Sequence, residues 1–264
     1  MLSKLLKYEI KATARTFLPL YLVLLVIACI NRFVTFLSPQ DYYSAIPVII
    51  SMTVYIAIII GTFAITLIVM IQRFYKNLLN NEGYLMFTLP VQTWQHIVSK
   101  LLVSMMWTVL SVIAAVASVL IIAVRAPLSE IAENIRIIFD RLYAVFGASA
   151  NLFLLQIVLA VVFSLASNIL LIYAAIAIGH LFSRHRIIAS IGAYLGIYTI
   201  TQILSSIAVA ALFGPFVFGY EISNSAVPPF VQGILWFSII AAAIYSLAFY
   251  LVTSFILNRR LNLE

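Results

Sequence analysis

Charge is the scarcest ingredient of this chain. Asp, Glu, Lys and Arg make up 9% of its 264 residues, where a soluble protein carries roughly 25%. Cysteine occurs once, at Cys29 in an apolar run; this excludes an intramolecular disulfide and leaves the thiol the role of a small buried hydrophobe. The histidines His96, His180 and His185 form neither a His-x-x-x-His nor a His-Glu-x-x-His pair, so the spacing that aims two imidazoles at one metal is missing. The sequence has no Gly-x-Ser-x-Gly turn to present a nucleophile and no Gly-x-x-x-x-Gly-Lys-Ser/Thr loop to cradle phosphates. The chain is therefore expected to be no enzyme, to hold no metal or cofactor, and not to hydrolyse ATP by itself. Carboxylates and basic groups are also missing from the centres of the long apolar runs, where an ion-coupled carrier keeps counter-charges for its ion. An ion-coupled carrier is thereby disfavoured, and the energy for any transport has to come from outside this chain.

What is abundant is apolar surface, at 65% of residues and a mean hydropathy of +1.16. A soluble fold cannot hide that fraction, whereas a bilayer can. The apolar runs exceed the ~20 residues that cross about 30 Å of hydrocarbon, and in lipid their backbone groups must be satisfied within helices. The expected fold class is all-α: a single polytopic domain over residues 1–264. It comprises an N-terminal amphipathic interfacial helix (1–16) and six spans near 17–36, 46–71, 101–124, 152–182, 187–212 and 230–257. With the N-terminus inside, Lys4, Lys7, Lys11, Arg15, Arg73, Lys76, Lys100, Arg184, Arg186, Arg259 and Arg260 are cytoplasmic, and only Arg32, Arg125, Arg136 and Arg141 are external. That excess places both termini in the cytoplasm. The same dispersal of basic residues to the ends of apolar runs argues against nucleic acid as a partner.

Several segments stand out against this frame. Lys4, Lys7, Lys11 and Arg15 recur at helical spacing and form one basic face, opposite Leu2, Leu6, Ile10 and Phe17. Such a helix lies on the membrane with its cations towards anionic lipid headgroups, or serves as a simple basic anchor ahead of the first span. Residues 125–145 alternate charge with isoleucines and read as an amphipathic helix on the outer surface. The last external loop, 213–229, has two glycines, three prolines and one charge, which suits a re-entrant or interfacial hairpin. Among the mid-membrane polar residues, Gln156, Asn168 and Gln202 either hydrogen-bond between helices or line a substrate path. Gly192-x-x-x-Gly196 allows a close helix approach. His180 and His185, beside Arg184 and Arg186, read as a basic cluster that sets topology.

The segment around which the chain is organised is Asn80-Asn81-Glu82-Gly83-Tyr84-Leu85-Met86-Phe87-Thr88-Leu89-Pro90-Val91, between the second and third spans. The opening MLSKLLKYEIKATARTFLPLYLVLL, the loop NNEGYLMFTLPVQTWQHIVSKLL, the six-span topology and the apolar last external loop together resemble the permease subunit of bacterial ATP-binding-cassette exporters of the type-2 class. The resemblance runs over nearly the whole chain. It implies that Glu82, Gly83, Tyr84, Leu85, Met86, Phe87 and Thr88 dock a cytoplasmic ATP-binding subunit, with ATP and Mg held on that partner. It also implies a second permease chain, identical or similar. Gly83 would permit a sharp turn, and the four residues after it would supply an apolar anchor; the alternative is that they pack on the membrane surface. The implied function is export of an amphiphile, such as an antimicrobial peptide or hydrophobic drug, across the bacterial cell membrane. A non-transporting assembly or sensory membrane subunit makes equally loose demands on sequence.

Overall fold

A computed structural model describes residues 2–37, 45–79, 92–123, 128–182, 184–218 and 227–259. Every regular element among them is helical: α1 (Leu2–Leu37), α2 (Ala45–Leu79), α3 (Thr93–Ala123), α4 (Leu128–Phe146), a 3-10 turn (Gly147–Ser149), α5 (Ala150–Gly179), α6 (Arg186–Phe218) and α7 (Val227–Arg259). Six of the helical segments are long and apolar enough to cross a membrane, and the chain is an all-α polytopic protein. Leucines, isoleucines, valines and phenylalanines stand exposed along these helices. In water that pattern would be untenable; facing acyl chains it carries no cost.

The chain divides into two compact units, the first holding α1–α3 and the second α5–α7. In the first unit α1 buries one stripe, Glu9, Thr13, Phe17, Leu24, Ala28 and Asn31, whose spacings of three, four and seven keep it on a single helix face. Opposite it, α3 buries Lys100, Val103, Trp107, Ser111 and Ser118. Phe17 stacks on Trp107 with ring centroids 4.5 Å apart, and Val103 completes that cluster. Serines spaced seven apart keep the helices close and bind hydroxyls across the interface. Ser111 pairs with Tyr21 (2.8 Å) and Thr66 (2.9 Å), and Ser118 with Tyr55 (2.8 Å). This small-and-polar interface is what holds helices together in lipid, where apolar contact alone gives no preference for protein over solvent.

The pairings also fix direction. Residues 9, 13, 21 and 32 of α1 meet 100, 107, 111 and 121 of α3 in rising order, so these two helices run parallel. Arg73 of α2 reaches Glu9, whereas Met52 reaches Asn31, so α2 runs antiparallel to both. Hence α2 ends and α3 begins at the end of the unit where α1 starts.

The expected interfacial segment (1–16) and first span (17–36) lie on one uninterrupted helix. Helix α1 is continuous over 36 residues with Pro19 inside it, about 54 Å at 1.5 Å per residue. The reason is packing: Glu9, Thr13 and Phe17 are buried on one stripe, so the contact with α3 runs straight through the junction. Helices α2 and α3 likewise outrun their expected spans, to Leu79 and from Thr93.

In the second unit α5 packs on both α6 and α7. Helix α6 runs antiparallel to α7, since Phe213 lies against Phe230 while Ser205 lies against Tyr245. The amphipathic helix expected over 125–145 is present as α4, with an Arg136–Asp140 pair at 3.9 Å on its exposed side. Gly147, at φ +54°, turns the chain from α4 towards α5 through a conformation that side chains disfavour. Of the expected hairpin over 213–229, the described part is helical: α6 continues to Phe218 and α7 starts at Val227.

Candidate functional site

Among the described residues, each unit holds a cluster of polar side chains between its long apolar helices. The first gathers where α1, α2 and α3 share an end. Lys100 Nζ donates to Glu9 Oε1 at 2.7 Å, its side chain 2% exposed, and Arg73 approaches Glu9 Oε2 at 4.0 Å from a wetter position. One turn along α1, Thr13 Oγ1 accepts from Trp107 Nε1 at 2.8 Å and donates to the Glu9 carbonyl at 2.7 Å. His96 is buried on the same stripe of α3. A cavity of about 20 Å³ remains among Glu9, Thr13, Arg73, Lys100, Ser104 and Trp107, space for about one water molecule. Glu9 thus ties together the three helices, and two of them, α2 and α3, lead to the 80–91 segment. From the sequence, Lys100 and Arg73 count only towards topology, and Glu9 has no part. The overlooked signal is an acid set among four bases on the opposite, apolar face of α1.

The expected docking residues Glu82, Gly83, Tyr84, Leu85, Met86, Phe87 and Thr88 lie outside the described residues. On α1, Lys4, Lys7, Lys11 and Arg15 are exposed while Glu9, Thr13 and Phe17 are buried. A single helix therefore points cations outward on one side and grips α3 with the other.

The second site is a groove of about 320 Å³ formed by α5, α6 and α7. Helix α5 supplies Ser164, Ser167 and Asn168, and α6 supplies Tyr198, Thr201, Gln202 and Ser205. From α7 come Ser238 and Tyr245 with the rings of Phe237 and Phe249. All come from the middle of their helices. Part of this polarity is used internally: Tyr245 Oη bonds Ser205 Oγ at 3.0 Å, Gln202 Nε2 donates to Tyr198 Oη at 3.0 Å, and Asn168 Nδ2 donates to the Ser164 carbonyl at 2.8 Å. Each amide keeps its carbonyl oxygen for another donor. Apart from the two tyrosines, no lining residue is ionisable.

The structure thus brings Asn168 and Gln202 into one groove, and places Gln156 elsewhere. Gln156 sits twelve residues before Asn168, about 18 Å along the helix. It is fully buried, and neither its side-chain oxygen nor its nitrogen has a hydrogen-bond partner. The turn between α5 and α6 forms a third polar feature. His180 follows α5 there, and burial, reinforced by the nearby Arg186, pushes its pKa below the usual histidine range. Among the described residues no group of three metal-ligating side chains occurs. No known protein family, characterised protein or solved structure matches the chain.

Proposed function

We propose that this chain is the membrane-spanning permease subunit of an ATP-driven exporter in a bacterial cell membrane, moving an amphiphilic substrate outward. In this reading both termini are cytoplasmic. A separate ATPase, carrying ATP and Mg, docks on residues 80–90, and a second permease chain completes the path. The observation that carries the reading is the groove of the second unit. Amides and hydroxyls halfway along membrane-length helices are costly against acyl chains, so they earn a place by meeting a polar solute or another protein surface. The groove offers hydrogen bonds but no counter-charge for a coupling ion, which calls for an external motor.

The first unit supports the mechanical half. The ends of α2 and α3 that flank the loop are clasped by one carboxylate on α1, so a push on the loop would reach α1 through Glu9. The basic face of α1 would meanwhile rest on anionic lipid. Affinity purification from native cells in mild detergent tests the proposal. An ATPase bearing the phosphate-loop motif should co-purify, and a monodisperse chain with no such partner would refute it.

A further inference from the structure

We propose that the α5–α6–α7 groove is a binding site for the neutral, hydroxyl-rich head of an amphiphile, a glycosyl group of about one or two rings. The inference deepens the transport reading by naming the substrate class, but its chemistry is that of binding alone.

Three properties of the lining select this class. First, with no Lys, Arg, Asp or Glu among the lining residues, a phosphate or carboxylate head would be stripped of water without a counter-charge, a penalty the site cannot offset. Secondly, the Asn168 and Gln202 nitrogens and the Ser238 hydroxyl are bonded within their own helices, but a purely apolar ligand would seal off the two amide oxygens and the Ser167 hydroxyl, and each buried orphan costs more than a hydrogen bond returns. What remains is an uncharged group with many donors and acceptors of its own. Thirdly, the form of the polarity matches hydroxyls better than an extended peptide. Hydroxyls both donate and accept, as the lining hydroxyls do, and an amide presents an acceptor beside a donor, which suits neighbouring hydroxyls on a ring. Peptide backbone instead calls for a regular ladder of complementary groups, and three packed helices have none to spare. The half-buried ring of Phe237 on the lining supplies an apolar surface for the less polar side of a sugar. At about 320 Å³ the groove falls at the small end of ligand sites, which run from about 300 to 1,000 Å³. That admits the head, while the tail lies along the exposed isoleucines and leucines of α6.

The test uses the full chain in phosphatidylcholine nanodiscs doped with equal fractions of monoglucosyl diacylglycerol or phosphatidylglycerol, with retained lipid counted by native mass spectrometry. The glucosyl lipid should be retained over phosphatidylglycerol, and Asn168→Leu with Gln202→Leu should reduce that retention about tenfold, the loss of two hydrogen bonds of ordinary strength. On the unmodified protein, free glucose and an octyl glucoside serve as competitors. Displacement by both assigns recognition to the sugar alone, and displacement only by the glucoside assigns it to sugar and tail together; either supports the proposal. Equal retention of the two lipids, or failure of both competitors, overturns it whether or not the double variant folds. No ATPase is present in this assay. A failure here leaves the exporter reading standing with another substrate, and a missing ATPase partner leaves the glycosyl site standing without the exporter.

Discussion

Removing the Glu9 carboxylate is the most informative single change in the first unit. Glu9→Ala withdraws the counter-charge held 2.7 Å from an ammonium whose side chain is 2% exposed. Breaking a buried pair from one side costs about 3–5 kcal/mol, far above the ~0–1 kcal/mol of a surface ion pair. Arg73 adds little, because at 34% exposure and 4.0 Å it can turn to water or headgroups. Lys100→Met in the Glu9→Ala background removes the stranded charge and should restore all but about 1–2 kcal/mol. The two changes must therefore be strongly non-additive, with a coupling of about 2 kcal/mol or more. The assay is equilibrium unfolding of the four proteins in mixed detergent micelles, followed by tryptophan fluorescence, since Trp107 stacks on Phe17 in the same cluster. Additive costs, or a Glu9→Ala protein within about 0.5 kcal/mol of the parent, would refute the idea that this carboxylate fastens α1 to α3.

Other outcomes follow from the second unit and the loop. A Cβ at residue 179 would fall on Ser190 Oγ and lie 2.7 Å from the Ser190 nitrogen and 2.8 Å from the Arg186 carbonyl oxygen. Gly179→Ala should therefore cost about 1–3 kcal/mol by overpacking, read as a lower melting temperature, while Gly192→Ala, with nothing within 4 Å, should be nearly silent. His180 has its folded pKa lowered, first by burial and then by Arg186, so the folded state binds fewer protons than the unfolded one. Stability should be complete above the unfolded value of about 6.5 and fall as pH drops below it. Melting curves at pH 5 and 8 should show that loss, and His180→Gln should lessen it. At the loop, Tyr84→Ala with Phe87→Ala should leave expression and membrane insertion intact, as judged by fractionation.

Fold class was legible because composition alone forces it: scarce charge and six long apolar runs leave few alternatives to membrane helices. The amphipathic α4 was legible too, from charges alternating with isoleucines. Helix ends were less so, because polar residues such as Thr13, Ser99 and Lys100 look like termini until the partner that buries them is known. Glu9 shows the same difficulty in its sharpest form. Set among Lys4, Lys7 and Lys11 it has no evident role in the sequence, yet its spacing to Thr13 and Phe17 puts it on the buried face. In the second unit, Asn168 and Gln202 were recognisable as polar groups in apolar runs, but their meeting in one groove depends on how α5 and α6 pack. Gln156, chemically the same, lies elsewhere because its height on α5 differs, and no residue type encodes that.

The central claim is that an ATPase grips this chain through residues 80–90. Its most direct measurement is the amount of ATPase retained on affinity-purified chain, compared between the parent and the Tyr84→Ala, Phe87→Ala double variant at equal membrane levels. Losing two apolar anchors should cost at least about 2 kcal/mol, roughly a thirtyfold weakening of binding, and strip the ATPase from the variant. Equal retention on both proteins would contradict the claim and leave the segment a role in packing on the membrane surface.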